Sequence, residues 1–105
     1  VAIIEMREYI FHPGGMQRYV ELLRSEGIEV MRRYQPEPLA WYTTDVGDLN
    51  RMVHLWQYDS LEHRARCREA RAKDPEWDHF RDQILPLIAS QRSSIMKPVG
   101  LPPAE

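Results

Sequence analysis

The chain has 105 residues, enough for one domain with a core of its own. A net charge of -2 and a pI near 6.1 exclude a general electrostatic attraction to nucleic acid, and 29% charged residues is ordinary for a water-facing domain. Cys67 is the single cysteine, which excludes an internal disulfide and points to a reducing, cytoplasmic setting.

From Ala2 to about Phe11, Ile4, Met6 and Ile10 alternate with Glu5, Arg7, Tyr9 and Phe11. That is the period of a strand with one apolar and one mixed face. The start lacks the basic and long apolar regions of a signal peptide. No later run approaches the ~20 apolar residues that span a bilayer, so no membrane partner is expected. His12-Pro13-Gly14-Gly15 breaks the strand. Between about Gly14 and Arg33, Met16, Tyr19, Val20, Leu23, Val30, Met31 and Tyr34 recur at helical spacing. Gly27 costs a helix interior about 1 kcal/mol relative to Ala, which predicts a kink or break there. Gln35-Pro36-Glu37-Pro38 closes the helix, because a residue before proline avoids helical angles.

Leu39 to Thr44 reads as a second strand, and Asp45-Val46-Gly47-Asp48-Leu49 as a hairpin loop. The loop leads into Asn50 to Tyr58, a central strand with large side chains on both faces. Val53 and Leu55 make an apolar face suited to a helix layer. Met52, His54, Trp56 and Tyr58 make an aromatic face suited to a second sheet, a pocket or a partner subunit. Two hairpin registers are open: one places Trp41 on the His54 face, the other Tyr42. A one-residue slip reverses every side chain, and Trp41 is favoured.

Asp59 or Ser60 caps a helix running from Leu61 to about Lys73. With Asp59 as the cap, Glu62 would complete a capping box. Its apolar residues are few. Arg64, Arg66, Arg68 and Arg71 make it basic, but Glu62, Glu69, Asp74 and Glu76 interleave with them, so a solvated, ion-paired face is expected. Asp74-Pro75 starts a further helix, with proline at a first-turn position where its missing N–H costs nothing. Trp77, Phe80, Ile84, Leu87 and Ile88 share one side of it, and Pro86 ends or kinks it. Trp77 and Phe80 are expected as core anchors and not as site residues. Arg92 to Lys97 reads as the last strand, with Ile95 as its core residue, and residues 99–105 read as a C-terminal tail.

The order is βαββαβ with an extra helix before the last strand, the split βαβ pattern of a ferredoxin-like α+β fold. One domain over residues 1–98 is expected. One sheet face would lack a helix layer, and the aromatic face is expected to be that one, covered by a second copy of the chain.

Several stretches resemble the NIPSNAP family. They are the opening Ile4-Glu5-Met6-Arg7-Glu8-Tyr9, Pro13-Gly14, Gly47-Asp48-Leu49-Asn50 and Val53-His54-Leu55-Trp56-Gln57-Tyr58-Asp59-Ser60-Leu61. Arg64 and Asp74-Pro75-Glu76-Trp77 belong with them. The resemblance runs from about residue 3 to 98, with Met6 in place of the usual Leu, a volume-conserving change. It implies a dimeric α/β barrel, which a one-domain chain builds as a homodimer. It implies no defined biochemical activity.

The chemistry-bearing residues are few. His12, His54, His63 and His79 lack a strong metal-ligand spacing with Cys67 or a carboxylate, and the chain has no glycine-rich phosphate loop, so no metal or cofactor is expected. Cys67 reads as a small packing residue on an Ala-containing helix. One constellation remains: Arg7, Tyr9, Trp41, His54 and Trp56, with Glu5 beside them. Arg7 is suited to an anion, His54 to moving a proton near neutral pH, and Trp41 and Trp56 to an apolar wall. These are candidate ligand-binding residues for a small anionic or apolar molecule, and no catalytic residue is assigned. The alternative is that Arg7 and Glu5 pair while the aromatics fill an interface. Two functions follow: a binding or interaction module, or a cofactor-independent enzyme of monooxygenase or isomerase type, the second by fold analogy.

Overall fold

The structure, a computed structural model, describes residues 2–104. Val1 and Glu105, the ends of the expected domain and tail, lie outside the described residues. Strand β1 (Ile3–Phe11) leads to helix α1 (Gly15–Leu22), a π-helical turn (Leu23–Gly27) and helix α2 (Ile28–Tyr34). Strands β2 (Ala40–Thr43) and β3 (Arg51–Tyr58) form the hairpin. Helices α3 (Leu61–Ala72) and α4 (Pro75–Ile84) follow, then a 3-10 turn (Leu85–Leu87) and strand β4 (Ile88–Met96). All neighbouring strands are antiparallel, in the order β2-β3-β1-β4. This is the expected ferredoxin-like α+β arrangement. No described helix is long and apolar enough to cross a membrane.

The break expected near Gly27 takes the form of the π-helical turn. A Cβ on Gly27 would lie 2.4 Å from the Phe80 ring, so glycine is what lets α4 approach there. Ser60, and not Asp59, caps α3: its hydroxyl accepts from the His63 backbone N–H at 3.0 Å. Asp74 caps α4 by accepting from the Glu76 N–H at 2.9 Å, with Pro75 in the first turn. Pro86 ends α4 in the 3-10 turn. Strand β4 starts four residues before the expected Arg92 and lies at the sheet edge, and Ile95, expected in the core, is 43% exposed.

The two sheet faces are reversed relative to the sequence expectation. Tyr9, Phe11, Met52, His54, Trp56 and Tyr58 are buried beneath the chain's own helices. They meet Tyr19 and Leu22 of α1, Val30 and Met31 of α2, and Trp77, Phe80 and Ile84 of α4. Ile4, Met6, Ile10, Val53 and Leu55 lie on the other face, half-buried against one another, with no second layer among the described residues. Hydrogen bonds at most of its polar tips let the aromatic face go inside. The Trp56 indole donates to His54, the Trp41 indole to Met52 Sδ, and the Tyr58 hydroxyl accepts from Gln35.

Candidate functional site

Alternation along β1 and β3 puts Glu5, Arg7 and Tyr9 on the same face as His54 and Trp56. The antiparallel register then sets Arg7 opposite His54 and Glu5 opposite Trp56. The expected convergence therefore occurs, but the wall facing it is α3 and α4 of the same chain, not a second copy. Between sheet and helices lies a cavity of about 460 Å³, a size typical of small-molecule sites. Arg7, Tyr9, His54 and Trp56 line its floor, Arg68, Arg71 and Trp77 its roof, and Gln91 one side. Trp41 is not on the cavity wall. It pairs with His54 in the β2–β3 register, which resolves the hairpin choice in its favour, and stacks on the imidazole at 4.1 Å and 5°. Trp77 serves both as core and as site wall, because the Arg71 guanidinium lies over its indole at 3.7 Å.

Glu5 is 1% exposed and is the electrostatic hub beneath the cavity. Arg64 holds it with two bonds at 3.0 and 2.8 Å, Arg7 approaches at 3.3 Å, and Ser93 donates its hydroxyl. Burial alone would raise this carboxyl, but the bonds from Arg64 and Ser93 and the two cationic charges outweigh it and hold it at about 2. Arg7 is also positioned by Tyr9 Oη at 3.3 Å and Gln91 Oε1 at 3.1 Å.

His54 is 2% exposed. Burial first, and then the Arg7 charge, push its pKa down to about 3, against a smaller opposing effect of Glu5. It is therefore neutral through the physiological range and is not the near-neutral proton carrier that the sequence suggested. Its tautomer follows from Trp56, whose indole N–H can only donate and reaches Nδ1 at 2.7 Å. A neutral imidazole accepting at Nδ1 carries its proton on Nε2. That buried Nε2 has no partner among the described residues, and neither does the buried Nε of Arg71. Both residues line the cavity, and both atoms are hydrogen-bond donors.

Arg68 and Arg71 are the site residues that sequence reasoning placed in a solvated face. Arg64, Arg68 and Arg71 lie at i, i+4 and i+7, one face of α3. That spacing was the available signal, hidden by the acids interleaved along the linear sequence.

The NIPSNAP family profile matches residues 4–103. The chain belongs to the NIPSNAP family. Among NIPSNAP relatives it is 30% identical over 104 residues to Protein NipSnap of Drosophila melanogaster, covering 98% of this chain and 37% of that protein. It is 32% identical over 93 residues to human NipSnap homolog 3A, covering 87% of this chain and 37% of that protein. The chain thus spans little more than a third of the length of these relatives. A crystal structure of a NIPSNAP family protein from Agrobacterium tumefaciens superposes with a TM-score of 0.92 at 33% identity, covering all of both chains. A candidate antibiotic biosynthesis monooxygenase from Chloroflexus aurantiacus superposes at 0.64 with 20% identity, covering 98% of each chain, a likeness of fold.

Proposed function

We propose that this NIPSNAP protein is a binding module for a small organic anion, held between the sheet and helices α3 and α4. The observation that carries the proposal is two buried donors without a partner among the described residues, His54 Nε2–H and Arg71 Nε–H, in side chains that line the same cavity. A buried donor without an acceptor is costly, and a ligand that brings anionic oxygens supplies the strongest acceptors for such donors. Tyr9, Trp56 and Trp77 offer aromatic surface to the rest of such a molecule.

The fold likeness to a candidate monooxygenase keeps a cofactor-independent enzyme as the second reading, but the residues favour binding. A proton-abstracting enzyme needs a base, and the two buried candidates are unsuited. Glu5 is consumed by Arg64, Arg7 and Ser93, and the basic nitrogen of His54 is occupied by Trp56.

The same proposal includes a homodimer. Its contact would be the face of Ile4, Met6, Ile10, Val53 and Leu55, joined at the edges by Tyr42, 63% exposed, and Met96, 37% exposed. A flat apolar sheet face covers itself by two-fold packing against a second copy.

Titration calorimetry with phenyl phosphate, benzoate and neutral benzamide tests the site. An anion is expected to bind where benzamide does not, and Arg71→Met, which keeps the side-chain stem but not the charge, should abolish the difference. Equal binding of benzamide, or an unchanged Arg71→Met, would overturn the reading.

A further inference from the structure

The charges around the cavity do not balance, and the imbalance specifies the ligand further. Arg7 shares the Glu5 carboxylate with Arg64, at 3.3 and 2.8 Å. Arg81 is compensated by Asp78 and Asp82, each at 3.4 Å. Arg68 and Arg71 stand apart. Among the described residues neither has a carboxylate within ion-pairing distance, and Arg71 donates only to the neutral Gln35 amide at 2.7 Å. Glu69 is exposed and forms no ion pair with either. Glu69 lines the same cavity without pairing, so two guanidiniums face it with no ion-paired carboxylate of their own.

We infer that this cavity is built for a dianionic head group, a phosphomonoester or a dicarboxylate carried on an apolar body, in preference to a monoanion. The inference rests on the anion-binding reading above and adds a charge to it. One negative charge compensates one guanidinium and leaves the other desolvated beside its like-charged neighbour, whereas two compensate both. Burial is already costly to this pair. It lowers the Arg68 pKa, together with the charges of Arg64 and Arg7, and brings Arg71 down to about 10, together with the charge of Arg68. The planar fork of guanidinium suits carboxylate and phosphate oxygens alike, so the shared chemistry is the double charge.

The experiment uses the full chain and four probes with one aromatic body: phenyl phosphate, phenylmalonate, benzoate and benzamide, titrated at pH 7.5. At least one dianion is expected to bind roughly ten-fold or more tightly than benzoate. Which of the two does so distinguishes phosphomonoester from dicarboxylate. Arg68→Met should bring the favoured dianion to the level of benzoate, so that the preference for the double charge is lost. If the favoured dianion is phenyl phosphate, its affinity should fall severalfold on going to pH 5, since a phosphomonoester loses its second charge near about pH 6. The guanidiniums keep their charge and His54 its neutrality across that range, so the change belongs to the ligand. Benzoate binding as tightly as both dianions would overturn the inference and leave the anion site standing. Benzamide matching all three would overturn both.

Discussion

The Trp56 indole N–H reaches His54 Nδ1 at 2.7 Å, and through this bond a residue that reads as packing sets the chemistry of its neighbour. It forces the imidazole proton onto Nε2 and gives the cavity a hydrogen-bond donor where an unconstrained histidine offers either tautomer. Trp56→Phe keeps an aromatic ring but removes the bond together with the indole's second ring. The imidazole 15N shifts of wild type at pH 7 should report a single Nε2–H tautomer, and those of the variant a mixture. The expected stability loss is about 1–3 kcal/mol, one hydrogen bond plus the space left by the missing ring. A wild-type spectrum of the Nδ1–H form would contradict the assignment.

The same histidine makes stability depend on pH. Its folded pKa of about 3 lies below the unfolded value of 6.5, so between them the unfolded chain binds the extra proton. Stability from this group is complete above about pH 6.5 and is lost as pH falls toward 3. Between pH 7 and pH 5 the loss should be about 2 kcal/mol in urea melts. His54→Gln, which cannot titrate, should flatten that segment of the profile.

Glu5 acts in a lower window. Its folded pKa of about 2 lies below the ordinary 4.5, so its contribution is present above about 4.5 and disappears as pH falls through 2. Glu5→Gln removes the charge at every pH. Arg64 and Arg7 are partly exposed and can rehydrate, so the cost should be roughly 2–3 kcal/mol, below the 3–5 of a fully buried pair. A loss of a few tenths would show that the hub is not what holds α3 to the sheet.

The two sheet faces should respond differently to one kind of substitution. Leu55→Asp places a charge on the uncovered face and should convert a dimer to a folded monomer in sedimentation experiments. Trp56→Asp places it under the helices and should unfold the chain. A monomeric wild type at micromolar concentration would remove the homodimer from the proposal.

Gly27→Ala should cost about 1–3 kcal/mol, because the new methyl meets the Phe80 ring at 2.4 Å inside a packed core. Phe80→Leu in the same chain should restore part of that loss, which a purely local helix effect would not allow.

Periodicity and punctuation made most of this architecture readable. The alternation of β1 and β3, the glycine break and the Asp74-Pro75 start each arise from local physics that the linear sequence carries. Of the five candidate residues, four line the cavity, since alternation assigns Arg7 and Tyr9 to one face and His54 and Trp56 to one face, and Trp41 lies off it. What alternation does not carry is the label of a face. Ile4, Met6, Val53 and Leu55 look as suited to a helix layer as Tyr9 and Trp56, and only the packing of Tyr19, Phe80 and Trp77 decides. Charge number misled in the same way on α3. Arg64, Arg68 and Arg71 turn inward because Glu5 draws the first of them, a tertiary pairing 59 residues apart.

Helix α3 buries one side chain, Cys67, and meets the rest of the molecule mainly through polar bonds: Arg64 to Glu5 and Arg71 to Gln35. Helix α4 instead buries Trp77, Phe80 and Ile84. The two halves of the cavity roof therefore belong to different opening classes in native-state hydrogen exchange. The amides of α3 should exchange through a low-energy, salt-sensitive local opening, while those of α4 should wait for global unfolding. A molecule in the cavity would then lie between a helix secured through charge and one secured by the aromatic core.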